Sequence, residues 1–472
     1  MITTAMTEIK TIDAESSLQE HLQSLKNYFD TGVTKSYSFR KQQLLNLKQA
    51  ILKYEEELYK CLYIDLKKNK EESWVTEIGF LLAEINATIK KLHKWMRRKK
   101  TGTNLLNLPS SSFILPEPLG TVLIIGPWNY PLQLLFTPLV GAIAAGNCVV
   151  LKPSEFAPAT SAVMKKIIEE TFSKEYILFV EGEGAAVIPQ MMKTFTFDHV
   201  FYTGSTATGK IIYKMAAENL VPVTLELGGK SPCVVENDAN LKVAARRIAM
   251  TKFSNAGQMC VAPDYLLVHE SIKDEFLKTL IDTVKDFYTT DAATYYSYGR
   301  IINERQFNRL LQYLNEGEII YGGKSNRKDL YIEPTILYDV LPDSLVMQDE
   351  IFGPILPVIS FNTDEEAKAI IQKNSNPLAF YVYTSSKQKE DYWLNNVSFG
   401  GGCINNSSWH LTNHNLPFGG RGNSGIGRYH GKYSFETFSH NKAILKTPTW
   451  FDPSLRYHPL KGKLNLFKKI IG

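Results

Sequence analysis

One cysteine, one carboxylate and one amide of this chain have residue types and surroundings suited to covalent chemistry. Cys260 ends the segment NAGQMC, whose polar, loop-forming residues would present a thiolate to a ligand. Glu226 lies at the end of the apolar segment VTLEL, and Asn129 lies in GPWNYP directly after TVLII. An enzyme that forms a thioester needs these three groups, as a nucleophile, an activator of water and a hydrogen-bond donor to an oxyanion.

Each of these three residues also has a structural interpretation. Free cysteines are among the most buried residues, and Cys148 and Cys233 lie inside apolar segments that fit this role. Glu226 could instead form a structural ion pair, and Asn129 could serve the geometry of a turn beside proline. Taken one at a time, the residues leave both alternatives open.

Two further segments are suited to binding a nucleotide. The sequence Gly204 to Gly209 (GSTATG) follows HVFYT and opens a predicted helix, so its N–H groups and helix dipole could face a pyrophosphate, although it departs from GxGxxG. Lys152 and Glu155 follow the segment CVVL, where they could hold ribose hydroxyls or form a surface pair.

The sequence predicts no metal site. Its nine histidines form no HExxH motif, and no two of its five cysteines have CxxC spacing. His410 and His414 are four residues apart, but their segment reads as a loop without carboxylate or cysteine partners.

The elements that carry these residues alternate between strand and helix. Residues 44–61 have the apolar spacing of an amphipathic helix. From residue 121 the chain alternates short β-branched segments with helical stretches, among them residues 158–172 and 210–217, up to the strand VTLEL. This pattern predicts an α/β fold with a doubly wound, mostly parallel sheet. A second α/β series begins after Gly229, with a predicted helix at 241–253 and a strand near 380–384.

Composition and charge narrow the function classes. The 472 residues include 53 Lys or Arg and 48 Asp or Glu, and a net charge of +5 is too weak to predict binding to nucleic acid. Residues 118–151 carry no charge, but prolines and asparagines interrupt them, so we predict a buried segment rather than a membrane span. Five cysteines predict a reducing compartment, and the first twenty residues lack a secretory signal, so we predict a cytoplasmic protein.

Two basic segments have more than one interpretation. Residues 90–100 (KKLHKWMRRKK) could bind a polyanion or be a solvated helix end, and we favour the latter. The tail at 461–472 (KGKLNLFKKIIG) is basic and amphipathic, so it could contact a membrane peripherally or be a solvated or docked terminus. It is too short to span a membrane.

Seven motifs together resemble the aldehyde dehydrogenase superfamily. They occur in order from about residue 20 to residue 446: PWNYP, KPSE, FYTGSTATGK, LELGGKSP, GQMC, EIFGP and LPFGGRGNSGIG. Within that superfamily, CVAPDY, YGRII, NPLAFYVY and RYHGKYSFETFSH look like the class 3 branch, which acts on fatty and aromatic aldehydes.

The resemblance implies a Rossmann-type NAD(P)-binding domain at 1–83 and 107–228, an α/β catalytic domain at 229–404 and a small bridging arm at 84–106 and 405–446, followed by a tail at 447–472. It implies a homodimer and NAD or NADP as cofactor. Glu155 would disfavour a 2′-phosphate by repulsion, yet class 3 relatives include enzymes that accept both cofactors.

The resemblance also implies roles for particular residues. It makes Cys260 the nucleophile, Glu226 the general base and Asn129 the oxyanion donor. It implies that Lys152 and Glu155 contact the adenosine ribose of the cofactor. Gly204 and Ser205, in the turn that Gly209 closes, would contact the pyrophosphate region. Glu350 would contact the nicotinamide ribose, with Phe352 beside it and Trp128 lining the cofactor side of the cleft.

These roles imply NAD(P)-dependent oxidation of medium- or long-chain aliphatic or aromatic aldehydes to carboxylic acids. There are two alternatives. One is a dehydrogenase that transfers the acyl group of the thioester to coenzyme A, and the other is a non-catalytic member of the fold with a binding or structural role. Glu226 argues against transfer to coenzyme A, because a dedicated base for water is then less needed.

Overall fold

A computed structural model of the chain describes residues 17–288 and 291–471. Most of the N-terminal segment in which we found no secretory signal lies outside the described residues. The described strands, in chain order, are β1 Lys99–Thr101, β2 Ser111–Pro118, β3 Thr121–Ile125, β4 Cys148–Lys152, β5 Ile177–Phe179, β6 His199–Thr203, β7 Val223–Glu226, β8 Pro232–Val235, β9 Tyr265–His269, β10 Glu318–Tyr321, β11 Ser325–Asn326, β12 Tyr331–Ile332, β13 Thr335–Tyr338, β14 Ile355–Phe361, β15 Ala379–Tyr383, β16 Gly401–Ile404, β17 Gly425–Ile426 and β18 Ser439–Lys446.

Helices connect most of these strands. They are α1 at 17–30, α2 Tyr37–Lys53, α3 Glu55–Leu66, α4 Lys70–Ser73, α5 Gly79–Met96, α6 Pro131–Ala145, α7 Pro158–Thr171, α8 Gly184–Thr194, α9 Thr206–Glu218, α10 Leu241–Phe253, α11 Lys273–Tyr288, α12 Glu304–Tyr313, α13 Leu345–Gln348, α14 Asp364–Lys373, α15 Lys387–Asn396, α16 Lys432–Thr437 and α17 Leu464–Ile471.

The first large sheet has six strands in the order β17-β7-β6-β3-β4-β5. All neighbours are parallel except β17, which runs antiparallel to β7. The chain starts in the middle at β3, moves outward through β4 and β5, and returns to β6 on the other side of β3. The order therefore reverses between β3 and β6, the switch point at which α/β sheets bind ligands.

A second sheet of seven strands has the order β10-β13-β14-β9-β8-β15-β16, and is parallel apart from β10. These two sheets confirm the predicted α/β fold. Three antiparallel strands, β1-β2-β18, form a separate small sheet that we call the arm. It includes β2, a strand that the predicted boundary at residue 107 assigned to the cofactor-binding domain.

The uncharged segment 118–151 forms the centre of the first sheet. Strands β3 and β4 and every residue of α6 are buried between other elements. Pro131 occupies the first turn of α6, where its missing N–H costs no hydrogen bond. None of the described helices combines the length and the apolar character that crossing a bilayer requires.

Candidate active site

A cleft of about 560 Å³ opens at the carboxyl ends of β3, β6 and β7, beside the switch point of the first sheet. Eight of the eleven predicted site residues line it: Trp128, Asn129, Gly204, Ser205, Glu226, Cys260, Glu350 and Phe352. Lys152, Glu155 and Gly209 are not among its lining residues. The cleft thus collects groups from segments more than two hundred residues apart.

Cys260 is carried by a loop with an unusual backbone. Between α10 and the cysteine, Asn255, Ala256 and Gly257 all have left-handed backbone angles, with φ of 50°, 51° and 73°. At Gly257 a Cβ atom would lie 2.2 Å from the carbonyl oxygen of Gly353, so only glycine fits. Strained backbone of this kind persists where the surroundings hold it, and it commonly marks a functional site.

The buried side chain of Gln258 holds this loop in place. Its Nε2 donates to the carbonyl oxygens of Asn255 (3.0 Å) and Arg300 (2.9 Å), and its Oε1 accepts from the N–H of Ile302 (3.0 Å). With its amide fully used, Gln258 fixes the approach to Cys260, whose side chain remains partly exposed to the cleft.

Asn129 joins the β3 loop to the Cys260 loop. Its Nδ2 donates to the carbonyl oxygen of Gln258 at 3.1 Å, which leaves the second N–H of the amide for another acceptor. The backbone carbonyl oxygen of Asn129 accepts from Lys68 Nζ at 2.8 Å and from Asn255 Nδ2 at 2.9 Å.

Two buried lysines that our sequence analysis did not single out hold the loops around the cleft. Lys68 pairs with Glu77 at 2.6 Å, and both side chains are fully buried. Glu77 in turn accepts from the N–H of Leu132 at 3.0 Å, in the first turn of α6. Lys68 belongs to the segment KKNK, which resembles a charged surface, so its pattern gave no indication of burial.

The second lysine, Lys230, pairs with Asp264 at 2.6 Å and donates to the carbonyl oxygens of Val346 (2.7 Å) and Asp349 (3.0 Å). It therefore holds the segment that carries Glu350. Its position in LELGGKSP, four residues after Glu226, was a signal that sequence analysis could have used.

Glu226 ends β7 and is almost completely buried, and within the described residues neither of its carboxyl oxygens has a hydrogen-bond partner. Burial raises its pKa well above the ordinary glutamate value. A buried carboxyl without a partner is costly to the fold, and such groups concentrate at functional sites.

The thiol of Cys260 is also held in its neutral form. Burial raises its pKa, and the charges of Glu350 and Glu226 raise it further, against the backbone N–H groups of Cys260 and Val261 that lower it. Glu350 has its pKa raised to about 8 by burial and by Asp264, while Lys230 and Arg309 act in the opposite direction. The cleft therefore favours the neutral forms of the Cys260 thiol and of both carboxyl groups.

Glycines shape the walls of the cleft. A Cβ on Gly228 would lie 1.9 Å from Glu350 Oε2, and one on Gly204 would lie 2.3 Å from the hydroxyl oxygen of Tyr202. Ser205 caps α9 by accepting from the N–H of Thr208 at 3.3 Å. The open first turn of α9 thus faces the cleft with its positive dipole.

Aromatic rings and strand ends complete the surroundings. The rings of Trp128 and Phe352 meet edge to face at 5.2 Å across the cleft. Lys152 lies at the end of the next strand, β4, and donates to Glu155 Oε2 at 3.3 Å. Burial opposes the charge of Glu155, but hydrogen bonds from its own N–H and that of Gly184, together with Lys152, lower its pKa below the usual value.

Gly209 has a packing role in this structure. It is buried in α9, where a Cβ would lie 2.6 Å from Leu227 Cδ2. The glycine lets α9 approach the end of β7 closely, and does not itself reach the cleft.

Comparison with known proteins matches this arrangement to one family. Residues 4–444 match the aldehyde dehydrogenase family. The chain belongs to this family. It is 47% identical to the 4,4'-diaponeurosporen-aldehyde dehydrogenase of Staphylococcus aureus, over 96% of this chain and 98% of that protein. It is 42% identical to the dimeric NADP-preferring aldehyde dehydrogenase of Canis lupus familiaris, over 95% of this chain and 99% of that protein.

A solved structure agrees with the sequence relatives. The substrate-bound state of the Staphylococcus aureus aldehyde dehydrogenase is 46% identical and has a TM-score of 0.93, covering 96% of this chain and 99% of that one. The chain described here is therefore an enzyme that oxidises aldehydes with NAD or NADP, as the sequence resemblance implied.

Three observations show that the cleft fits that cofactor. Its walls contain the open N-terminus of α9, glycines where side chains would collide, and buried carboxyl groups that disfavour further negative charge near Cys260. Among the described residues, no three His, Cys, Asp or Glu side chains gather as metal ligands, and the prediction of no metal stays untested.

The buried pair at the base of the cleft generates a stability prediction. We expect Lys68→Met to lower the free energy of unfolding by about 3 to 5 kcal/mol, because Glu77 would be left buried and unpaired. Urea denaturation of the single variants and of Lys68→Met/Glu77→Met measures this in a double-mutant cycle. The double variant should recover part of the loss, and a single variant as stable as the wild type would contradict the assignment.

Proposed function

We propose that the aldehyde is oxidised through a covalent adduct on Cys260, with Asn129 and Glu226 in the roles that the sequence implied. The observation that carries the proposal is the convergence of these three residues in one cleft at the switch point of the first sheet. Cys260 is the only one of the five cysteines that lines this cleft among the described residues.

The first step starts from the thiolate of Cys260, after its thiol proton has passed to solvent. The Sγ atom forms a bond to the carbonyl carbon of the aldehyde, and the π electrons move to the oxygen. The second N–H of the Asn129 amide and a backbone N–H are positioned to donate to this oxyanion. When bound, the oxidised nicotinamide supplies a positive charge and accepts the hydride of the adduct.

The second step hydrolyses the resulting thioester. Glu226, as carboxylate, takes a proton from a water molecule, the hydroxide adds to the acyl carbon, and the carbon–sulfur bond breaks to release the acid and the Cys260 thiolate. The missing hydrogen-bond partners of Glu226 leave its oxygens free for this water.

For the cofactor we propose that the first turn of α9 at Gly204 and Ser205 meets the pyrophosphate, and that Glu350 meets the nicotinamide ribose between Phe352 and Trp128. Lys152 and Glu155 would hold the adenosine ribose from the end of β4. Their hydrogen bond and the position of β4 next to β3 support this assignment.

We further propose apolar aldehydes, aliphatic or aromatic, as substrates. Three tyrosines near the Cys260 and Asn129 loops are buried: Tyr130 follows Asn129, the hydroxyl of Tyr381 donates to the carbonyl oxygen of Val261 at 2.6 Å, and Tyr429 lies beyond them. The ring of Phe418 packs against Tyr429 at 5.7 Å. An aromatic surrounding of the nucleophile favours an apolar substrate. The name of the relative from Staphylococcus aureus, a 4,4'-diaponeurosporen-aldehyde dehydrogenase, is in line with this class.

The domain assignment and the cytoplasmic location also stay proposals. The six-stranded sheet supports a cofactor-binding domain at 1–83 and 107–228, and the seven-stranded sheet supports a catalytic domain at 229–404. The arm strands belong largely to the proposed bridging segments 84–106 and 405–446, with 447–472 as tail. All five cysteines are free, which supports a reducing compartment.

We expect Cys260→Ala to abolish aldehyde oxidation and to retain cofactor binding, since the variant removes only the atom that bonds to the substrate. NADH formation and titration of cofactor binding measure the two properties separately. Cys403→Ala is the matched control, because that thiol is also partly exposed but does not line the cleft. Substantial turnover by Cys260→Ala would refute the mechanism.

Glu226→Gln should give a burst of reduced cofactor followed by slow turnover, because acylation would outrun hydrolysis of the thioester. In the wild type the raised pKa of Glu226 predicts that hydrolysis accelerates as the pH rises, since the base must first lose its proton. Stopped-flow measurements across the pH range test both points. A variant without a burst, or a hydrolysis rate independent of pH, would argue against the role.

We also propose a homodimer that uses the arm. Strand β18 is an edge strand of the arm and exposes Ile444 and Leu445, and within the described residues its outer side pairs with no other strand. The relative from Canis lupus familiaris is named as dimeric.

Light scattering should therefore give the mass of two chains for the wild type and of one chain for Ile444→Lys/Leu445→Lys, because buried lysines would repel across the interface. Leu220→Lys, at a turn far from the arm in sequence and highly exposed, is the control and should keep the dimer mass. A dimer that survives the double substitution would place the interface elsewhere.

A further inference from the structure

A second cavity lies where the arm joins the rest of the molecule, and its volume is about 730 Å³. Its walls come from residues 91–99 at the end of α5, from the arm strands at Ile114 and Asn441, and from residues 432–436 of α16. It shares no lining residue with the cleft that contains Cys260. We call it the arm-root cavity. Its volume lies in the range of small-molecule sites, about 300 to 1,000 Å³.

The walls of the arm-root cavity are strongly basic. The cationic side chains that line it are Lys91, Lys94, Arg97, Arg98, Lys99 and Lys432. Among its described lining residues the only acid is Glu436, which pairs with Lys432. Apart from Lys432, none of the six makes an ion pair within the described residues. A concave site lined by charges of one sign attracts an ion of the opposite sign.

A solvated helix end, which the sequence favours for residues 90–100, accounts for only part of this cluster. Helix α5 ends at Met96, so Lys94 in its last turn complements the helix dipole. That effect falls off within one turn, and it does not extend to Lys99 in β1 or to Lys432 in α16. Lys99 is the cross-strand partner of Ile114, so both side chains lie on the face of the arm that lines the cavity. Three separate elements therefore direct cations to one place.

The positive charge of the chain is concentrated in this cavity. Its lining carries a net charge of +5, which equals the net charge of the whole chain, so all other residues together are neutral. A nucleic acid would need a longer positive surface, whereas a cavity of this kind suits a compact anion with several charges.

Aromatic side chains lie beside the cations. Trp95 and Tyr433 line the cavity and are half-buried, and the ring of Trp95 packs against that of the buried Phe435 at 5.9 Å. Lys91, Lys94 and Trp95 have the spacing of one helix face, so the indole lies on the same side of α5 as the two amines. Cations next to an aromatic ring are suited to a ligand that joins phosphate groups to a planar base.

We propose that the arm-root cavity binds a nucleoside polyphosphate, with its phosphates on Lys94, Arg97 and Lys99 and its base against Trp95. Because Lys99 belongs to the arm and Lys94 to α5, one bound ligand would hold the arm against the rest of the molecule. The cavity is separate from the cleft, so the proposal is independent of the roles proposed for Cys260 and Glu226.

Isothermal titration of the full chain with ATP tests the proposal. One equivalent of NADH per chain first fills the cofactor cleft, and its fluorescence reports whether it stays bound. We expect ATP to bind without a change in that fluorescence, and about tenfold more tightly than inorganic tripolyphosphate, because a stacked base adds to the affinity. Raising the salt from about 50 mM to about 500 mM should weaken ATP binding about tenfold.

Substitutions locate the binding site. Lys94→Gln/Arg97→Gln/Lys99→Gln should lower the affinity for ATP about tenfold, because it removes charge-assisted hydrogen bonds to phosphate. The matched control, Lys60→Gln/Lys242→Gln/Lys278→Gln, removes the same charge from exposed positions that line neither the cavity nor the cleft. The control should bind ATP as the wild type does, and both variants should oxidise a short water-soluble aldehyde at the wild-type rate.

Trp95→Leu separates the base from the phosphates. This variant should bind ATP and tripolyphosphate with equal affinity, since only the contact with the base is lost. If the wild type already bound both equally, the ligand would be an inorganic polyanion and the proposal of a nucleotide would fail.

Three further outcomes would overturn the proposal. Loss of NADH fluorescence in step with ATP binding would place ATP in the cofactor cleft. Equal ATP affinity of the triple cavity variant and the control would show that the cavity cations have no part in binding. A change from the mass of two chains to that of one in light scattering of the cavity variant would assign these cations to a second copy of this chain.

Discussion

The carbonyl oxygen of Asn129 is the point on which the site depends. It accepts from Lys68 Nζ and from Asn255 Nδ2, so one backbone atom connects the N-terminal helices, the loop after β3 and the loop before Cys260. Lys68 carries the connection further, through Glu77 to the first turn of α6. Because these groups are buried, each hydrogen bond is strong and each missing partner would be costly. The proposed nucleophile and the proposed oxyanion donor thus share one rigid support.

The cleft itself is unfavourable for the charges that its chemistry requires. Glu226, Glu350 and Cys260 all have raised pKa values because burial disfavours their charged forms. For the two carboxyls this lowers the stability of the fold as the pH rises from the ordinary glutamate value toward the raised one, since the unfolded chain loses these protons first.

Much of the fold could be predicted from local patterns. Strand β3 matches TVLII, and α10 begins and ends at the predicted residues, because apolar spacing and capping act over a few residues. Helix α9 begins at Thr206, four residues before the predicted 210, since its first turn is polar and shows no apolar spacing. The order of the seven-stranded sheet was not predictable, because β8 lies between β9 and β15 through contacts across more than a hundred residues.

The sequence by itself determined the α/β class, the family and the three residues proposed for chemistry, because motifs and apolar periodicity involve residues that are close together in the chain and can be read directly from the sequence. Only the tertiary structure decided that Lys68 and Lys230 are buried supports, that Gly209 packs against Leu227 instead of facing the cleft, and that the turn at Leu105 meets the tail. A lysine or a leucine has the same appearance in a sequence whether it is buried or exposed. Its role follows from the distant segments that fold against it.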